Sequence, residues 1–268
     1  MPKYLFPILT ILSSLTPWPW RINCQNTNTK FTTRTFQQGK IKGVIDTLSY
    51  NGQNNRQVEI YRGIKYGHQI SGSNRFRKGK LFTQRFDFLS VYDATKSGVV
   101  CPQDLDEYLN LKVFSKKHLL DDENFWYLNH EIHEECLNLD LYMPIAAEEY
   151  ESNETKNLPI TIFIYNNDFH LGNSQQFSQS AKILALKTNT IVAIPNYRLG
   201  LLGFFSSASH EAFGNYGLWD QRLAMEWIRM NAKFIKGDED NITLLGHYQG
   251  CCVIVFFKKI TQRITQAF

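Results

Sequence analysis

Three segments of the chain are apolar at nearly every position: LNLDLYM at 137–143, PITIFIY at 159–165 and TIVAIPNY at 190–197. Runs of that length and composition suit strands of a sheet covered on both faces, where neither side is left to be polar. Two earlier runs, KIKGVIDT and QVEIYRGI, alternate instead, and the NGQNN between them is a hairpin signal. Between the second and third apolar runs, SQSAKILALKT reads as a crossover helix. A longer helix is expected over about 218–232, with Leu218, Ala224, Met225 and Ile228 at helical spacing. The strand NITLLG at 241–246 follows, and then a further apolar stretch, CCVIVFF. Strand alternating with helix is the grammar of an α/β fold with a largely parallel sheet. Residues 67–130 carry many charges and few periodic runs, and 24–38, rich in Asn, Thr and Gln, is expected to be loose.

Length adds that 268 residues make one large domain or two small ones, and a hydrophobic fraction of 43% suits a packed core. The net charge of +4 is dispersed along the chain; its densest run, RFRKGK at 75–80, reads as a solvated loop and not as a nucleic-acid patch. The opening MPKYLFPILTILSSLTPWPW sets a lysine before an apolar run too short and proline-broken to span a bilayer. That is the pattern of a secretory signal, taken as residues 1–23, and it implies a protein outside the cell, with an uncleaved anchor as the lesser reading. Secretion would make the five cysteines disulfide candidates, with the pairing of Cys24, Cys251 and Cys252 left open. It would also make two sequons glycosylation acceptors: Asn153, in a polar stretch expected to be exposed, and Asn241, leading into an apolar strand that would hide it. Cys251 or Cys252 as a thiol nucleophile lacks any visible base and is read as structural.

The stretch GHYQG at 246–250 carries the chemical question. A strand ending in G-x-Nuc-x-G and opening into a helix is a nucleophile elbow: the flanking glycines permit a sharp turn, and the central side chain is thrust upward. Alone the pattern is weak. Its surroundings are specific, namely GIKYG at 63–67 with RF at 75–76, Cys101-Pro102-Gln103, EECLNLDLYMP at 134–144, NYRLGLLGFF at 196–205, GNYGLWDQRLAMEWI at 214–228 and GDEDNITLLGHYQG at 237–250. In that order, from about residue 39 to 268, the blocks resemble the type-B carboxylesterase and cholinesterase family. The resemblance implies an α/β-hydrolase fold of three layers, mostly parallel, with an N-terminal antiparallel hairpin. It further implies a Cys101–Cys136 disulfide and two structural ion pairs, Arg75 with Glu134 and Arg198 with Asp220. It puts His130 and His133 in an extended run, so no metal is expected there, and no cofactor anywhere.

The departures fall on the chemistry. Tyr248 stands at the nucleophile position, with a phenol of pKa about 10 whose oxygen lies a whole ring farther out than a serine hydroxyl. His247 replaces the family's Glu and Gln249 its Ala, so between Gly246 and Gly250 a relaxed turn is expected. The family's oxyanion stretch H/Y-G-G-G-F is here Tyr165-Asn166-Asn167-Asp168-Phe169, which loses the glycines and sets a carboxylate where negative charge must develop. Losing even one oxyanion donor costs about 2.7–4 kcal/mol. The family's catalytic acid and histidine lie beyond the point matching Phe268, and His170 and His247, the histidines nearest the pocket, read as structural. The expectation is a catalytically dead, secreted homologue similar to the neuroligin, neurotactin, gliotactin and glutactin branch, with an adhesive role. The alternative is a residual or altered ester hydrolase, or a fragment of a longer member. A chain ending after the elbow helix would leave NITLLG as a bare sheet edge, open to self-association or an extracellular protein partner. Nucleic acid is not an expected partner, and any membrane anchor would lie in a further C-terminal part.

Overall fold

The computed structural model describes residues 30–50, 53–68, 70–86, 90–103, 131–145, 157–165, 168–209, 211–247, 250 and 265–266. Strands β1 (Lys30–Phe36), β2 (Gly39–Tyr50), β3 (Gln53–Lys65), β4 (Tyr92–Asp93), β5 (Asn138–Pro144), β6 (Leu158–Ile164), β7 (Ile191–Pro195), β8 (Gly237–Gly246) and β9 (Thr265–Gln266) join in one sheet. Its order is β1-β2-β3-β5-β7-β6-β8-β9, with β4 beside β2. Helices α1 (Ser178–Thr188), α2 (Gly200–Phe204) and α3 (Tyr216–Asn231) connect or cover it.

The apolar runs behave as their composition requires. Every residue of β5 and of β7 is buried. β6 departs from this, since Ile160, Ile162 and Ile164 are buried while Thr161 and Phe163 are only half covered. Strand alternation puts helices on both faces. On one, Lys182 of α1 reaches Asp46 of β2 at 2.9 Å. On the other, Trp227 of α3 stacks on Phe36 at 6.1 Å, and Phe36 meets the edge of Tyr61. Each large side chain removed from water there contributes about 1.5–3 kcal/mol. Helix α1 stops where Asn189 turns left-handed, a conformation asparagine tolerates.

Three expectations need correcting. Residues 30–36 are not loose: KFTTRTF pairs along its whole length with β2, because β-branched threonines suit a pleated edge and Phe36 buries the end of the strand. The sheet is also less parallel than the strand–helix rhythm implies. The ladders β1–β2, β2–β3, β3–β5 and β5–β7 are all antiparallel, and parallel pairing in the main path starts at β7–β6. The long excursion between β3 and β5 leaves the direction of β5 free to be set by its neighbours, and no local pattern encodes that. Finally, the far side of β8 is not bare, since Thr243 and Leu244 pair in parallel with Thr265 and Gln266.

One glycine is forced. Gly63 sits at the irregularity between Tyr61 and Ile64 with φ +64°, and a Cβ there would lie 2.7 Å from Gly98 backbone atoms. Its N–H donates to the buried Asp140 carboxylate at 2.9 Å.

Candidate active site at the strand ends

β6 and β8 run parallel with Ile164 opposite Gly246, so the turns leaving both strands emerge from the same edge of the sheet. Ligands in open α/β sheets bind beyond such carboxyl ends.

The elbow frame is formed. The His247 N–H donates to the Ile164 carbonyl at 3.2 Å, extending the ladder one residue past the strand. The Gly250 N–H then donates to the His247 carbonyl at 3.0 Å, closing a tight turn with Gly250 buried and already helical. Tyr248 and Gln249, and with them the expectation of a relaxed turn, lie outside the described residues, as do Asn166 and Asn167. The His247 ring packs edge-on to Phe177 at 5.4 Å and near Phe163 at 6.3 Å. Half-burial among these rings holds its pKa below the ordinary histidine value, so the neutral form is favoured.

The loop after β6 keeps a glycine-like backbone without glycines. Asp168 and Phe169 are consecutive left-handed residues, with φ of +53° and +61°. For residues with a Cβ this costs roughly 1–2 kcal/mol each, Asp being among the more tolerant. Such strain persists only where the surroundings over-determine it, and here they do. The Phe169 carbonyl accepts from Gly200 N–H at 2.7 Å, and its ring lies 4.6 Å from Phe204. One step on, Gln103 clamps Gly172 from both sides, its Oε1 accepting from the Gly172 N–H at 2.8 Å and its Nε2 donating to the Gly172 carbonyl at 3.1 Å. The Asp168 carboxylate is exposed at the sheet edge.

Beneath the loop lies a buried polar hub centred on Asn196, just past β7. Its Oδ1 accepts from Tyr165 OH at 2.9 Å and from Ser174 N–H at 2.8 Å, and its Nδ2 donates to Asn138 Oδ1 at 3.0 Å. The Tyr66 hydroxyl donates to its carbonyl, and the Tyr197 hydroxyl to the Tyr165 carbonyl at 2.6 Å. Burial raises the pKa of all three phenols, so they remain protonated donors. Asn196, Asn138 and Gln103 were not foreseen as a unit. The signal was an asparagine closing an apolar run, which must find partners once buried.

The residues singled out by resemblance fall into two groups. Cys101 and Cys136 form a disulfide, with Cα atoms 5.0 Å apart. Arg198 makes a bidentate pair with Asp220 at 2.7 Å for both contacts, fully inside the protein. Burial pushes the Asp220 carboxyl up, against the pull of the Arg198 guanidinium. Arg75 meets Glu134 at the surface, with Nε 2.8 Å from Oε2, and that hydrogen bond holds the glutamate low. By contrast, His170 and His247 are not brought into one site. His170 lines a cavity of about 460 Å³ with Gln103, Leu199, Leu202, Phe204 and Phe205, and no described elbow residue borders it. Asn241 is exposed on β8, not hidden, whereas Asn153, Cys24, Cys251, Cys252, His130 and residues 1–23 lie outside the described residues. His133 uses Nδ1 to accept the Glu135 N–H at 3.0 Å. Among the described residues no cluster of three or more His, Cys, Asp or Glu could hold a metal, and no helix is long and apolar enough to cross a membrane.

Residues 29–262 match the profile of the carboxylesterase family. The chain is 30% identical over 202 residues to acetylcholinesterase 1 of Caenorhabditis briggsae, covering 75% of this chain and 30% of that protein. It is 32% identical over 193 residues to carboxylesterase 5A of Felis catus, covering 72% and 32% respectively. The solved structure of a thermophilic pNB esterase superposes with a TM-score of 0.62 at 32% identity, over 83% of this chain and 40% of the other. The chain therefore spans about a third of the length of the curated relatives it matches.

Proposed function

The chain belongs to the carboxylesterase family and adopts the α/β-hydrolase fold, and on that premise we propose a secreted member that binds extracellular protein and does not hydrolyse esters. The observation that carries the reading is the state of the loop after β6. Acyl transfer needs N–H donors converging on a growing negative charge. Here the strained backbone presents an exposed aspartate, whose carboxylate opposes that charge. The elbow supplies the second support: its turn is built, yet a tyrosine stands at the nucleophile position. An acid and a histidine contributed from anywhere would find no serine to activate. For a binding role the support is the apolar rim of the cavity, where Leu201 is 76% and Phe205 43% exposed.

The test is direct. The purified protein should release no p-nitrophenol from p-nitrophenyl acetate above the buffer rate and should take no label from a fluorophosphonate. A burst of product with covalent labelling would overturn the reading and restore a residual or altered hydrolase. Adhesion is tested separately: beads coated with the protein should cluster cells, and absence of clustering removes the adhesive role.

A further inference from the structure

The basic run 75–80 is a solvated loop, as expected, and its backbone is also docked as a strap beside α3. Arg198, already paired with Asp220, donates from Nη1 to the Arg77 carbonyl at 2.8 Å. Two residues on, a Cβ at Gly79 would lie 3.1 Å from Asp220 Oδ1 and 3.3 Å from Leu223, so the strap backbone packs directly against α3. The Lys80 carbonyl accepts from His68 N–H at 2.7 Å. The strap's cationic side chains, Arg77, Lys78 and Lys80, all face solvent.

Helix α3 adds to them. Trp219 and Arg222 stand one turn apart on its outer face. Lys78 Nζ lies 3.4 Å from the Trp219 ring centre, and the Arg222 guanidinium lies 5.3 Å from the same ring. One strap cation, Lys78, and one helix cation, Arg222, thus meet at a single indole. Among the described residues none of Arg77, Lys78, Lys80 and Arg222 enters an ion pair. Two cations share one indole, with Arg77 and Lys80 exposed on the same strap, and a polyanion would be attracted to such a face.

We propose that this platform binds a sulfated polysaccharide. Two observations favour that class over nucleic acid. Lys78 Nζ sits 3.4 Å from the indole centre, so a base stacking on that face would have to displace one of the protein's own cations. The Cys101–Cys136 disulfide favours an oxidising, extracellular setting, as in the proposed function on which this choice of ligand rests, and sulfated polysaccharides are polyanions of that setting. The strap touches the cavity wall through Phe76 on Phe205 at 5.6 Å, but none of Arg77, Lys78, Lys80 and Arg222 lines the cavity, and the proposal does not depend on whether esters are hydrolysed.

The experiment measures binding of the intact chain to a heparin-derived oligosaccharide at several salt concentrations. The triple variant Arg77→Ser, Lys80→Ser, Arg222→Ser should bind about tenfold more weakly with a shallower salt dependence. A control carrying Lys30→Ser, Lys40→Ser and Lys233→Ser, with equal charge removed elsewhere, should bind like the parent. Chemically desulfated polymer should not bind. If the triple variant melts early, the three single substitutions, each about twofold to threefold weaker, provide the same reading. Equal loss in the control, unchanged binding in the variants, or full competition by duplex DNA would overturn the proposal.

Discussion

The hub beneath the loop and the loop itself are adjacent, yet they obey opposite rules. In the hub every side chain has a partner suited to it: Asn196 ties Tyr165, Ser174 and Asn138 together, and Arg198 meets Asp220 with both donors. In the loop, Asp168 and Phe169 hold a backbone conformation better suited to glycine. A buried polar group must be satisfied whatever the protein does, since an orphan costs about 1–3 kcal/mol. A catalytic group is needed only while there is catalysis. The contrast therefore separates what the fold demands from what the chemistry demands, and on the proposed reading the departures from the family pattern fall on the chemical side.

The largest expected effect breaks the lower half of that comparison. Asp220→Asn preserves shape but leaves the Arg198 cation, 3% exposed, without its counter-charge. Breaking a buried pair by neutralising one partner costs about 3–5 kcal/mol. Urea unfolding should show a loss of that size at constant slope. A loss under about 1 kcal/mol, the range of exposed pairs, would mean water already reaches the pair and that the hub is no more constrained than the surface.

How much of this was legible beforehand follows the same division. β5 and β7 could be read from their apolar runs because burial on both faces leaves a local mark. The disulfide and the Arg198–Asp220 pair could be read only through the order of whole blocks, since spacing alone pairs nothing. β1 was missed because KFTTRTF has a single buried anchor, Phe36, and threonines that resemble a polar tail. The Asn196 hub was missed because its partners sit at residues 66, 138, 165 and 174, which only the fold brings together. The solvated character of the basic run was legible, but its anchor on Arg198 was not, because a backbone carbonyl has no residue signature.

A second, smaller effect works on the loop. Asp168→Gly should relieve roughly 1–2 kcal/mol of left-handed strain, less about 0.5–1 kcal/mol for the greater freedom glycine has when unfolded. The expected result is a net gain of about 0.5–1 kcal/mol in a thermal melt, with no ester turnover because Tyr248 is still in place. A substitution that stabilises without restoring activity would show that strain here outlived its catalytic use. A destabilised variant would instead mean that the carboxylate anchors the loop, which would place it with the hub.

The smallest effect sharpens the boundary between the two, because His247 belongs to both: its backbone extends the β8 ladder and its ring lies against Phe177 and Phe163. Burial lowers its pKa in the folded protein, whereas the unfolded chain titrates near the ordinary value of about 6.5. Between those two values the unfolded chain carries more bound protons, so falling pH favours unfolding. Stability from this group is complete above about pH 6.5, is lost as pH falls toward the folded value, and levels off below it. Half-burial keeps the loss small. His247→Phe should abolish that portion of the pH dependence while keeping the ring packing, and an NMR titration of the parent should place the histidine midpoint below about 6.5. A midpoint above that value would require a nearby acid to stabilise the charged ring. The elbow would then retain a histidine–carboxylate pair of the kind that activates nucleophiles, and the reading of the site as chemically abandoned would fail at its turn.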